Sequence, residues 1–144
     1  MKGIVIRKAD TGEYDAVEKF YRKVKYPGSL NSAATVFLAL EDQQVIGTAQ
    51  LCPEAGYVAL RGMQVDPTFQ SQGIGSKLLE HIAIELANQP CYCIPWSHLG
   101  AFYHRIGFEE ITAQEGPVDV RERYTRYRNQ GLNVILMRRV RRDC

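Results

Sequence analysis

The chain has 144 residues, 45% hydrophobic and 24% charged, the balance of one soluble globular domain over residues 1–144, long enough to bury a core. A net charge of +2 is too small to argue for a nucleic-acid partner, and no apolar stretch approaches the roughly 20 residues of a membrane span. Met1-Lys2-Gly3 leads straight into a strand rather than a secretion signal, so a cytoplasmic protein without a membrane partner is expected.

Along the chain, Ile4 to Arg7 reads as a first strand. Val17, Phe20, Tyr21 and Val24 then recur at helical spacing, predicting a helix over 13–24 that packs one face. Tyr26-Pro27-Gly28-Ser29 ends it, and 30–34 is loop or a short helix. Thr35 to Leu40 and Val45 to Leu51 flank the polar turn Glu41-Asp42-Gln43-Gln44, a hairpin. Tyr57 to Val65 is the fourth strand. In it Val58 and Leu60 share a face while Met63 and Val65 fall out of phase, through either a bulge at Gly62 or burial of both faces; the bulge is favoured. A bulge would splay the strand from its later neighbour and leave backbone groups able to hold an extended amide-bearing ligand.

Asp66-Pro67 breaks that strand, and Ile74, Leu78, Ile82 and Leu86, flanked by Leu79, mark a helix ending near Asn88-Gln89-Pro90. Between strand and helix lies Gln70-Ser71-Gln72-Gly73-Ile74-Gly75-Ser76. Glycines at a helix N-terminus sit where backbone N–H groups precede the hydrogen-bond ladder and the dipole is positive, which favours phosphate by roughly 0.3 to 1 kcal/mol per charge. A phosphate-loop motif needs Lys-Ser or Lys-Thr directly after its last glycine, whereas Ser76-Lys77 follows Gly75; a dinucleotide fingerprint needs three glycines after the first strand. Neither fits, and a pyrophosphate cradle stands against an ordinary glycine-rich loop.

Cys91 to Ile94 is a fifth strand, Leu99 to Ile106 a short helix with Gly107 as its left-handed cap, and Phe108 to Thr112 and Asn133 to Arg139 the last strands. The connection 113–132, with Tyr124, Tyr127 and four arginines, is a solvated loop, a lid or a subunit contact. Arg138, Arg139, Arg141 and Arg142 form a solvated basic end. Cys52, Cys91, Cys93 and Cys144 lack scaffold spacing and zinc-site partners, so reduced buried thiols and no metal are expected.

The second motif is Ala101-Phe102-Tyr103-His104-Arg105-Ile106-Gly107-Phe108. With Gln-x-x-Gly-x-Gly over 70–75 and Phe-Tyr-x-x-x-Gly-Phe over 102–108, nearly the whole chain resembles the GNAT family of N-acetyltransferases. The resemblance implies an α/β (α+β) fold: a mixed, mostly antiparallel sheet of about seven strands, helices on both faces, and a bulged, splayed fourth strand. It implies acetyl transfer from acetyl-CoA, as co-substrate, to an amine by direct attack in a ternary complex. The acceptor expected is a small-molecule amine; a protein amine, or a non-catalytic acyl-CoA-binding module, is the alternative, and a homodimer is plausible.

On that resemblance Gln70, Ser71, Gln72, Gly73, Ile74, Gly75 and Ser76 would hold the pyrophosphate. Met63, Gln64 and Val65 would pair with the pantetheine arm, one N–H polarising the thioester carbonyl. Tyr103 falls on the family's usual general acid and would also meet the cofactor thiol, the favoured reading; packing of the helix beside Leu99, Phe102 and Ile106 is the alternative. An alkylammonium near pKa 10.4 must lose a proton at a cost of roughly 4 to 5 kcal/mol at neutral pH. Where protein-lysine acetyltransferases of the family carry a glutamate, this chain has Ala59; Glu54, His98 and Glu110 are the remaining base candidates. Where many relatives carry a pantetheine-contacting asparagine, it has Trp96, which reads as packing or as a wall of the acceptor pocket; Ser97 or His98 would substitute for the contact, or the contact is absent.

Overall fold

The computed structural model describes residues 3–140. Its elements are β1 (Ile4–Lys8), α1 (Tyr14–Lys23), β2 (Thr35–Glu41), β3 (Gln44–Pro53), β4 (Val58–Val65), α2 (Ile74–Leu86), β5 (Cys91–Cys93), α3 (Gly100–His104), β6 (Glu109–Glu110), α4 (Val118–Asn129) and β7 (Met137–Arg139). Hydrogen bonding orders the strands β1-β2-β3-β4-β5-β7-β6. The pairs β1–β2, β2–β3, β5–β7 and β6–β7 are antiparallel, whereas β4–β5 is parallel. The mixed, mostly antiparallel sheet that the family resemblance implied is therefore present. The chain divides into two compact units, Met1–Pro53 with Leu60–Glu85 and Glu54–Ala59 with Leu86–Cys144.

In the first unit, alternation along β2 sends Val36, Leu38 and Leu40 to one face, where they bury with Val17, Phe20 and Tyr21 of α1. Ala39 faces the other way. A Cβ added to Gly47 of β3 would lie 3.3 Å from both the Ala39 Cβ and Ile74 of α2, so the second helix covers that face. Helices therefore meet both faces of this part of the sheet. The entry to α1 is set by a capping box: the Glu13 carboxylate accepts the Asp10 N–H at 2.9 Å and is gripped by Arg7 at 2.7 and 2.8 Å. The β2–β3 hairpin turns on Asp42 and Gln43, both left-handed at φ 49° and 66°, as a two-residue turn of strand-matching twist requires. Residues 30–34 form a turn rather than a helix.

In the second unit the parallel register covers Val58↔Cys91 and Ala59↔Tyr92, and β7 pairs with β5 from Cys91↔Arg139 to Cys93↔Met137. The final strands are shorter than expected. Only Glu109–Glu110 and Met137–Arg139 form ladder, while Val134 makes an isolated bridge to Trp96. Trp96 is 48% exposed, so it is not a packing residue of this unit's core.

The connection over 113–132, read from the sequence as structureless, contains a helix. Thr112 and Glu115 form a second capping box, Pro117 starts α4, and Val120 is buried with Tyr57, Tyr92 and Leu136, with Tyr124 packed on that cluster. The hydrophobic stripe Val120, Tyr124, Tyr127 is real but narrow. Arginines interleaved at 121, 123, 126 and 128 hid it from a periodicity reading. Cys52, Cys91 and Cys93 are buried thiols, and burial holds that of Cys93 well above its usual pKa. Cys144, Arg141 and Arg142 lie outside the described residues.

Candidate active site

The turn between β4 and α2 begins at Asp66, which is buried. Its carboxylate accepts the Thr68 N–H at 2.9 Å and the Lys23 ammonium at 2.8 Å, and its own N–H donates to the Ile46 carbonyl. The Lys23 hydrogen bond, then that from Thr68, hold the Asp66 carboxyl below the usual carboxylate range. Pro67–Phe69 makes a single 3₁₀ turn off this cap. Gln70 is extended, Ser71 is left-handed at φ 69°, Gly73 is left-handed at φ 77°, and the helix follows at once, its Lys77 N–H donating to the Gly73 carbonyl at 3.1 Å.

Gln70, Ser71, Gln72 and Gly73 are exposed, while Ile74 is fully buried and anchors the loop to the core. Nothing lies within 4 Å of the position a Gly73 Cβ would occupy. Glycine is therefore needed there for its φ and not to relieve crowding. Left-handed residues just ahead of a helix belong to the backbone patterns from which anion-binding concavities are built. Ser71 is the residue whose special conformation no sequence signal announced.

Met63, Gln64 and Val65 are each half-buried at the end of β4. Just before them Gly62 is left-handed at φ 63°, the backbone state of a glycine bulge and not of a regular strand. The Tyr21 hydroxyl donates to the Gly62 carbonyl at 2.8 Å. These residues share the first unit with the Gln70–Ser76 loop.

Tyr103 belongs to the second unit, in α3, 6% exposed. Its ring meets Phe102 edge-on at 5.1 Å and Phe108 at 6.1 Å, so packing fixes the direction of its phenol. The chain leaves α3 through left-handed Gly107 at φ 99°, the cap expected from the motif. Of the base candidates, Glu54 is ion-paired to Arg123 at 3.2 Å, whereas His98 and Glu110 are exposed. Among the described residues no group of three His, Cys, Asp or Glu could hold a metal ion, and no helix is long and apolar enough to cross a membrane.

A mixed seven-stranded sheet thus carries a glycine-bearing turn from its fourth strand into a helix. A family model described as an acetyltransferase (GNAT) domain matches residues 32–110, more than half of the chain, which therefore belongs to the GNAT acetyltransferase family. No curated protein sequence matches it.

Among solved structures, a GNAT-family acetyltransferase from Staphylococcus aureus is 20% identical at a TM-score of 0.67, over 95% of this chain and 98% of that one. The ribosomal-protein-S18-alanine N-acetyltransferase of Escherichia coli is 17% identical at 0.69, over 99% and 96%. An N-acetylglutamate synthase from Neisseria gonorrhoeae, complexed with coenzyme A and N-acetyl-glutamate, is 21% identical at 0.71 over 98% of this chain. The chain spans only 36% of that synthase. At these identities the likeness is one of fold.

Proposed function

We propose that this chain transfers the acetyl group of acetyl-CoA to the primary amine of a small molecule by direct attack in a ternary complex. The observation that carries the reading is the pair of left-handed residues, Ser71 and Gly73, opening an exposed loop at the head of α2. Backbone N–H groups of Gln70–Ser76 bind the pyrophosphate. The half-buried edge at Met63–Val65 pairs with the pantetheine amides, and one N–H there polarises the thioester carbonyl. Removing such a donor typically costs about 2.7 to 4 kcal/mol in the transition state.

As the amine nitrogen bonds to the acetyl carbon, the carbon–sulfur bond breaks and the thiolate takes a proton. Tyr103 serves that end. A phenol near pKa 10 is a weaker acid than a thiol near 8.5, so complete transfer is uphill by about 2 kcal/mol, and a hydrogen bond to the developing thiolate is its principal contribution. Glu54 is committed to Arg123 while His98 and Glu110 stand in solvent, so removal of the amine proton is assigned to none of them. Ala59, buried where protein-lysine acetyltransferases carry a glutamate, supports a small acceptor over a protein.

The test is release of free CoA thiol from acetyl-CoA across polyamines, amino acids, aminoglycosides and short peptides, with calorimetric CoA binding alongside. Release driven by a small amine supports the reading. Release driven only by peptides moves the acceptor to proteins, and tight CoA binding with no release by any acceptor overturns transfer in favour of a binding module.

A further inference from the structure

The interior of the first unit holds a polar network that packing does not require. Gln50 of β3 is 1% exposed, a side chain that needs partners on every polar atom to sit there. It has them: its amide donates to the Ser29 carbonyl at 2.9 Å and to the Tyr21 hydroxyl at 3.3 Å, and its oxygen accepts the Asn31 N–H at 3.0 Å. Tyr21, 3% exposed, passes the chain on by donating to the Gly62 carbonyl at 2.8 Å. A Cβ on Gly62 would collide with that phenol oxygen and come within 3.0 Å of the Gln50 amide, so the network is built against a bare backbone.

We infer that Tyr21 is a positioning residue for the acyl-CoA strand: by holding the Gly62 carbonyl it sets the direction of the backbone groups of Met63–Val65 that receive the pantetheine arm. The inference rests on the reading of that strand given under the proposed function. A glycine in the left-handed region has no side chain to hold it there, and rotation of its peptide would re-aim the following N–H and C=O groups. The Tyr21 hydrogen bond opposes that rotation, and Gln50 orients the phenol while tying down the turn at Ser29 and Asn31. Burial raises the Tyr21 pKa well above its usual value, so the hydroxyl keeps its proton, and its role as donor, across all working pH.

The test compares calorimetric affinities of two ligands, CoA and 3′-phosphoadenosine 5′-diphosphate, which carries the pyrophosphate but not the pantetheine arm. In the unaltered protein CoA is expected to bind more tightly, and that gain would measure the strand. Tyr21→Phe keeps the ring against Tyr26, 4.5 Å away, and removes only the hydroxyl. The expected result is loss of about three- to tenfold of the CoA gain, the worth of one neutral hydrogen bond, with affinity for the truncated ligand unchanged. Gln50→Met, close in volume, is read in the same assay and loses part of the same gain, so the test survives if Tyr21→Phe does not fold.

Retention of the whole gain by both variants, or equal loss for both ligands, overturns the positioning role and leaves the strand assignment standing. Absence of any gain in the unaltered protein removes the strand assignment, and the positioning role with it.

Discussion

Substituting Gly73 separates the conformational demand of the loop from its electrostatic one. The backbone is left-handed at φ 77° and a Cβ would meet nothing within 4 Å, so Gly73→Ala introduces strain without a clash. That strain is about 1 to 2 kcal/mol, which for a chain of this size lowers the thermal midpoint by roughly 2 to 8 °C. Gly73→Glu carries the same strain and adds a carboxylate beside the bound pyrophosphate. At about 4 Å and an effective dielectric of 20, one charge pair repels by about 4 kcal/mol, close to a thousandfold in affinity. Calorimetric titration with CoA at fixed ionic strength, paired with thermal melts, reads the two effects apart. The two variants should melt alike, and only Gly73→Glu should abolish binding. CoA affinity within about threefold of the unaltered protein in Gly73→Glu would show that no phosphate lies at this loop.

Tyr103→Phe keeps both aromatic contacts, and turnover should fall by about 10² to 10⁴ while the CoA dissociation constant stays nearly unchanged; full turnover would return Tyr103 to a packing role. Acid should destabilise the fold through three carboxyls held low in the native state: Glu13 at about 2 by its hydrogen bond to Arg7, Asp66 by Lys23, and Glu115 by the Thr112 N–H. Each binds protons more readily unfolded, so its contribution is complete above the ordinary carboxylate range and is lost as pH falls from there toward 2. Asp66→Asn should therefore cost about 1 kcal/mol at neutral pH and nothing at the acid end, a convergence visible in denaturant titrations at two pH values. Glu54→Gln should leave turnover within about twofold and lower stability by about 1 kcal/mol through its loosened contact with Arg123; a collapse in turnover would instead make Glu54 the base.

Where side-chain chemistry repeats with a simple period, the chain was legible. The buried stripe Ile74, Leu78, Ile82 and Leu86 sits on α2 as its spacing required, and β2 and β3 flank a turn at Asp42 and Gln43. The out-of-phase residues of β4 drew attention to Gly62, whose backbone is left-handed at φ 63°, while Val58, Ala59 and Leu60 are buried in succession.

Features that depend on distant partners were not legible. In α4 four arginines break the apolar pattern, and the helix exists because Val120 finds Tyr57, Tyr92 and Leu136. Trp96 offered no sign that it would stand half out of the fold. The partnership of Tyr21 with Gly62 joins residues far apart in sequence, through a hydroxyl that reads locally as one more core aromatic.

Ser71 has an evolutionary consequence. Held at φ 69° without being glycine, it keeps the loop in a state that a glycine would occupy at no steric cost and that asparagine tolerates well. A selection for heat resistance alone would drift toward glycine or asparagine at this position. Serine at this position therefore carries a backbone cost that the proposed pyrophosphate contact would have to offset.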